Sequence, residues 1–145
     1  MSANDMKDRT GGPISRPDLY GTDADGRVVL KGLRCGCCGR VAVPYQSFGC
    51  ELCGRTDDLL AMDVSTNGTV AAALEVHLHA GAFPKAPFAI GSIRLDDGPM
   101  VRAQLAGGDL VPGTRVAGIL LATTDEAGDR CRDLRFAAVG GEETP

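Results

Sequence analysis

The sequence is short of aromatic side chains, of long apolar runs and of positive charge. Six aromatic residues stand against twenty glycines and eight prolines in 145 residues. That balance argues against long helices and for short strands joined by many turns. No run of eighteen apolar residues occurs, so no membrane-spanning helix is expected. The formal net charge is −4, and nothing in it draws the chain toward nucleic acid. Met1 to Thr10 is polar and charged and holds no apolar core of the secretory type. With cysteines of the reduced kind, the expectation is a cytoplasmic protein. The length has room for one ordinary domain, or for a small domain plus a metal-stapled module.

What the chain does have is a pair of cysteine motifs. Cys35-Gly36-Cys37-Cys38-Gly39 and Cys50-Glu51-Leu52-Cys53-Gly54 are two C-x-x-C-G knuckles separated by eleven residues. In each, two thiolates converge on one side of a tight turn, and the glycine after the second cysteine is free to take a positive φ. Two such turns joined by a short hairpin build a four-thiolate cage suited to zinc, and rubredoxin-type iron uses similar spacing. Paired disulfides or a thioredoxin-like redox pair fit poorly, because the motif occurs twice at ribbon spacing. Cys35, Cys38, Cys50 and Cys53 are therefore the expected ligands of one structural zinc ion. Four thiolates fill its coordination sphere and leave no position for water or substrate. Cys37 lies between two ligands and should point away from the metal. Cys131 reads as a lone thiol near a turn, without the histidine or aspartate motif of a nucleophile.

Residues 1–27 read as an N-terminal arm, flexible over 1–18, where charges, Gly and Pro leave little to bury. Residues 28–63 read as a rubredoxin-like zinc ribbon, with strands at Val28–Leu30 and Val41–Tyr45. Residues 64–140 read as a barrel, and 141–145 as a tail. From Gly68 the pattern has period two: Val70, Ala72, Leu74, Val76 and Leu78 are apolar, and the alternate positions end in Glu75, His77 and His79. This predicts a long half-buried strand over Thr69–His79. Further strands are predicted at Phe88–Leu95, Met100–Leu105, Arg115–Thr123 and Asp133–Val139, with Asp97-Gly98 as a hairpin turn. Five short strands favour a closed Greek-key barrel, the OB-fold, with an SH3-type barrel left open by periodicity alone. The fold class is thus mainly β.

The order of these pieces resembles a known family. Gly32-Leu33-Arg34-Cys35 to Gly39, Val43-Pro44 and Gly49-Cys50 to Gly54 resemble the ribbon of the zinc-ribbon/OB-fold proteins associated with acyl-CoA metabolism, long catalogued as a domain of unknown function. Asn67-Gly68-Thr69-Val70, Ala86-Pro87-Phe88, Leu95 to Val101 and Val111-Pro112-Gly113-Thr114-Arg115-Val116 resemble that family's barrel in order, so the likeness covers residues 20–139. It implies a small auxiliary subunit beside a thiolase-like catalytic partner that makes or cleaves carbon–carbon bonds next to a CoA thioester. On that resemblance the catalytic groups belong to the partner, and this chain helps assembly and acyl-CoA binding. An aldolase or acetyltransferase complex is an alternative setting. The N-terminal arm departs from the family in lacking an aromatic-rich helix.

Several other residues invite a function. Glu75, His77 and His79 at alternate positions suit a second metal or acid–base group, or a solvated, partner-facing strand face, and the second reading is preferred. Phe83, Pro84, Lys85, Pro87 and Phe88 make an apolar loop with one cation. Phe83 and Lys85 there suit an acyl chain, a CoA phosphate or a partner, and the bland alternative is a proline-set turn with Phe88 in the core. Lys31, Arg34, Arg40 and Arg55 make the ribbon basic, which suits CoA phosphates or nucleic acid or merely balances the charge of a zinc–thiolate centre, and the last reading is preferred. Single-stranded nucleic-acid binding is the runner-up from another class. It wants a basic groove with stacking aromatics, and the predicted strands after Gly68 offer only Phe88 and Phe136. An enzyme acting alone through His77, His79 or Cys131 has no nucleophile–base motif behind it.

Overall fold

The computed structural model describes residues 12–77, 87–107, 110–125 and 127–139. Among them every regular element is a strand. The first four are β1 (Tyr20–Thr22), β2 (Val28–Cys35), β3 (Val41–Ala42) and β4 (Leu59–Ser65). They form a small antiparallel sheet in which β2 takes β1, β3 and β4 as neighbours. Val28–Leu30 was the expected strand, but pairing with Leu59–Ser65 carries β2 through to the first cysteine. The short pairing of β3 replaces the strand expected to reach Tyr45.

The segment expected as an arm is partly fastened. Ile14 bridges to Arg132, the Ser15 amide donates to the Arg132 carbonyl at 2.8 Å, and β1 pairs with β2. Tyr20 is 5% exposed, which anchors that end as an apolar core residue does.

The remaining strands are β5 (Gly68–Val76), β6 (Phe88–Leu95), β7 (Met100–Leu105), β8 (Arg115–Thr124) and β9 (Arg130–Ala138). They close into a barrel in the order β5-β6-β7-β9-β8, with the parallel contact of Leu105 to Phe136 joining β7 to β9. This is the OB-fold order. Val70, Ile93, Leu95, Leu105, Val116 and Phe136 fill its interior, and Tyr20, Leu30 and Val64 of the small sheet join the same cluster. Thr66 ties the two parts: its hydroxyl donates to the Val28 carbonyl at 3.1 Å and accepts the Gly118 amide at 3.0 Å.

One expectation fails instructively. The long first strand does alternate, but a bulge between Val70 and Ala72 shifts its register against β6. An extra residue reverses which face each later side chain takes. Val70 lies opposite Ile93 in the core, whereas Ala72, Leu74 and Val76 pair with Ser92, Ile90 and Phe88 on the outer face. Leu74 is 63% exposed instead of half buried. Glu75 sits opposite Ala89, on the face that leads into the barrel, but beyond the part that packing covers.

Candidate metal centre

The two knuckles are built alike. The Cys35 amide donates to the Arg40 carbonyl and the Gly39 amide to the Cys35 carbonyl, both at 2.8 Å. The Cys50 amide donates to Arg55 at 2.8 Å and the Gly54 amide to Cys50 at 2.9 Å. Gly39 and Gly54 have φ of +81° and +83°, a conformation costly to any residue with a Cβ. Each turn therefore points its amides inward at sulfur. The Leu52 amide, for one, lies 3.4 Å from Cys50 Sγ.

Hydrogen bonding of β2 to β4 and the hairpin through β3 bring the knuckles face to face. The four sulfurs of Cys35, Cys38, Cys50 and Cys53 all lie within 4.8 Å of one another. Cys35 Sγ is 3.6 Å from Cys53 Sγ, and Cys38 Sγ is 3.5 Å from Cys50 Sγ. Sulfurs placed about 2.3 Å from a tetrahedral zinc stand roughly 3.8 Å apart, so the cluster fits such an ion. The first cysteine of each knuckle is buried and the second is exposed.

The thiols also show why a cation belongs there. Amides of Cys53 and Leu52 favour the Cys50 thiolate and bring it down to about 6. Cys35 is lowered chiefly by the Cys38 amide. The Arg55 amide favours the Cys53 thiolate, yet desolvation and the sulfurs of Cys35, Cys38 and Cys50 outweigh it and push Cys53 up to about 12. Four thiolates cannot share this volume without a compensating positive charge.

The surrounding cations are mostly committed elsewhere. Arg40 pairs with Glu51 at 3.1 Å and so links the knuckles, Arg55 pairs with Asp57 at 3.2 Å, and Lys31 approaches Asp63 at 3.7 Å. Cys37 is exposed and outside the cluster. Cys131 is buried in β9, and desolvation followed by Asp125 and Asp133 raises its thiol, the reverse of what a nucleophile needs.

Of the other residues singled out from the sequence, His77 is exposed just past β5, with Nε2 3.5 Å from Glu75 Oε1. His79, Phe83 and Lys85 lie outside the described residues. Phe136 is fully buried and offers no stacking surface. Tyr20, Asp133 and Arg135, which no sequence motif singles out, are brought together by the fold between sheet and barrel. The Tyr20 hydroxyl donates to Asp133 Oδ1 across 113 positions, so no local motif announces the pair.

Fold and site together define a class: an all-β protein in which a four-cysteine ribbon precedes a five-stranded OB barrel. Residues 61–119 match the family model described as ChsH2, C-terminal OB-fold domain. A solved structure described as an Ltp2-ChsH2(DUF35) aldolase superposes with a TM-score of 0.57 at 18% identity, covering 74% of this chain and 84% of that one. At that identity the likeness speaks for the fold. No curated protein matches the chain.

Proposed function

We propose that this chain is a non-catalytic subunit of a thiolase-like enzyme acting on acyl-CoA, stapled by one structural zinc ion at Cys35, Cys38, Cys50 and Cys53. The observation that carries the reading is the ChsH2-type barrel at residues 61–119, set behind a closed four-thiol cluster. A similar architecture occurs in an assembly whose description pairs ChsH2 with Ltp2 as an aldolase. The four-sulfur site supports a structural role, because its ligands would saturate zinc and leave nothing open for chemistry. The partner then supplies the catalytic groups, and the reaction makes or breaks a carbon–carbon bond beside a CoA thioester. A bulky or aromatic 3-oxoacyl-CoA is the substrate we favour. The reduced cysteines suit a cytoplasmic setting.

The test is affinity capture from native cells with identification of co-eluting proteins, together with metal analysis of the purified chain. A stoichiometric thiolase-like protein and one zinc per chain are expected. Recovery of the chain without such a partner, or full activity of the partner in its absence, would overturn the subunit reading.

A further inference from the structure

The two edges of the β8–β9 hairpin meet different surroundings. The strands pair in one unbroken register, from Val116 with Ala138 to Thr124 with Arg130. At its ends the Val139 amide donates to the Arg115 carbonyl, and the Asp125 amide to the Asp129 carbonyl. Bonded and non-bonded pairs alternate along an antiparallel ladder. Ile119, Leu121 and Thr123 therefore turn their amides and carbonyls to β9. Leu120, Ala122 and Thr124 turn theirs the other way.

On β9 the outer edge is occupied. Arg132 bonds to Pro13 and Ser15, and the Phe136 carbonyl accepts from Ala106. Between them the Leu134 amide donates to Asp133 Oδ1 and its carbonyl accepts from Arg135 Nη1, both at 3.0 Å. On β8 the cover stops early. Pairing with β5 ends at Val116, and the Gly118 amide donates to Thr66 Oγ1 at 3.0 Å. Beyond that point Leu120, Ala122 and Thr124 have no backbone partner on the outer side among the described residues. Edges of this kind are normally blunted by charge, proline or a bulge. Val116–Thr124 has none of these. The open stretches of β4 and β5, by contrast, carry Asp63 and Glu75. Leu120 packs toward the core, whereas Ile119 and Leu121 on the opposite face are 36% and 42% exposed.

We infer that two copies of this chain pair antiparallel through β8, with Ala122 beside Ala122 of the second copy on a two-fold axis. In that register Leu120 meets Thr124 of the second copy, so each outward residue exchanges both bonds with another outward residue. A shift toward Gly118 would meet an amide that Thr66 already holds. Leu121 lies opposite Thr123 of the second copy, which covers apolar surface left open in the single chain. A twin suits this edge because the strand is uncharged, so it meets its own copy without like charges opposed, in a molecule of net charge −4. The occupied β9 edges end the joined sheet after two copies, as a two-fold contact requires. The ladder is short, so the interface belongs to the weak, transient class. It involves this chain alone and stands or falls separately from the accessory-subunit reading.

Sedimentation equilibrium of the full chain from micromolar to millimolar concentration tests it, paired with amide hydrogen exchange resolved by NMR. The mass should rise from 15.0 kDa toward twice that value and no further. In dilute chain the Ile119, Leu121 and Thr123 amides should be protected and those of Leu120, Ala122 and Thr124 open. Raising the concentration should slow the second set several-fold and leave the first unchanged. Ala122→Pro removes an amide that the single chain does not use, and Leu121→Lys puts a charge on the exposed face. Each should weaken the dimer about tenfold or more, with the Tm of dilute chain unchanged. A mass that stays at 15.0 kDa would overturn the pairing, as would a dimer whose Ala122 amide still exchanges freely or one indifferent to both variants. Edge amides slowed only by an added thiolase-like protein would give the edge to that partner and overturn it equally.

Discussion

The ribbon tip and the barrel are held by different physics. Between Cys35 and Leu59 the chain makes only the two-residue β3, and its large apolar side chains Phe48 and Leu52 are 88% and 67% exposed. What is buried there is sulfur. The barrel instead closes five strands over Val70, Ile93, Leu95, Val116 and Phe136, each at most 1% exposed. A segment too small to enclose a core gathers four thiols suited to a metal in place of packing, whereas a closed barrel needs no ligand to stay shut. The boundary between the two regimes is not the metal site but the base of the ribbon sheet, where Leu30, Val64 and Tyr20 already belong to the barrel's core.

The largest effect expected from breaking that contrast is at the cage. Cys50→Ser, or chelation of the metal, should strip hydrogen-exchange protection from residues 36–58 and abolish metal stoichiometry, while the barrel strands keep theirs. Collapse of both regions together, seen by peptide-resolved exchange, would mean the barrel depends on the metal after all. Next in size is Phe136→Ala, which empties the centre of the barrel and should cost about 3–5 kcal/mol in urea denaturation. In native conditions that variant should still bind one metal ion, since none of the four clustered cysteines belongs to the core cluster around Phe136.

The contact zone gives the smaller effects. Tyr20→Phe removes a hydrogen bond to a charged carboxylate and should cost about 2 kcal/mol at neutral pH. Burial, then the bond to Asp133, raises the Tyr20 hydroxyl from 10.0 to about 12. A raised value means the native state favours the neutral form. That contribution is complete below pH 10 and is lost as pH climbs toward 12, so the gap between wild type and Tyr20→Phe should narrow over that window. A constant gap from pH 8 to 12 would remove the hydroxyl from the account. Thr66→Val keeps the shape but loses the bonds to Val28 and Gly118, for about 1–2 kcal/mol. It should loosen exchange where the sheet meets the barrel and leave the knuckles untouched.

How much of this could be read beforehand depends on how local each cause is. The knuckles could, since spacing, turn glycine and hairpin length lie within twenty residues and leave four sulfurs little choice. Phe88–Leu95 and Met100–Leu105 could as well, because Asp97-Gly98 sets a hairpin and the alternation on either side suits it. The first barrel strand was legible in kind but not in facing. Its alternation is regular through the bulge, and nothing in a row of alanines marks the residue that is left unpaired. Only β6 decides this, by offering Ser92 and not Gly91 to Ala72.

By itself, then, the sequence determined the four-thiol cage and the succession of strands, because each depends on residues near one another along the chain. The tertiary structure alone decided the outward turn of Leu74, the shared core of sheet and barrel, and the meeting of Tyr20 with Asp133 and Arg135. Those depend on which strand ends up beside which, a choice made by the whole set of apolar side chains seeking burial at once.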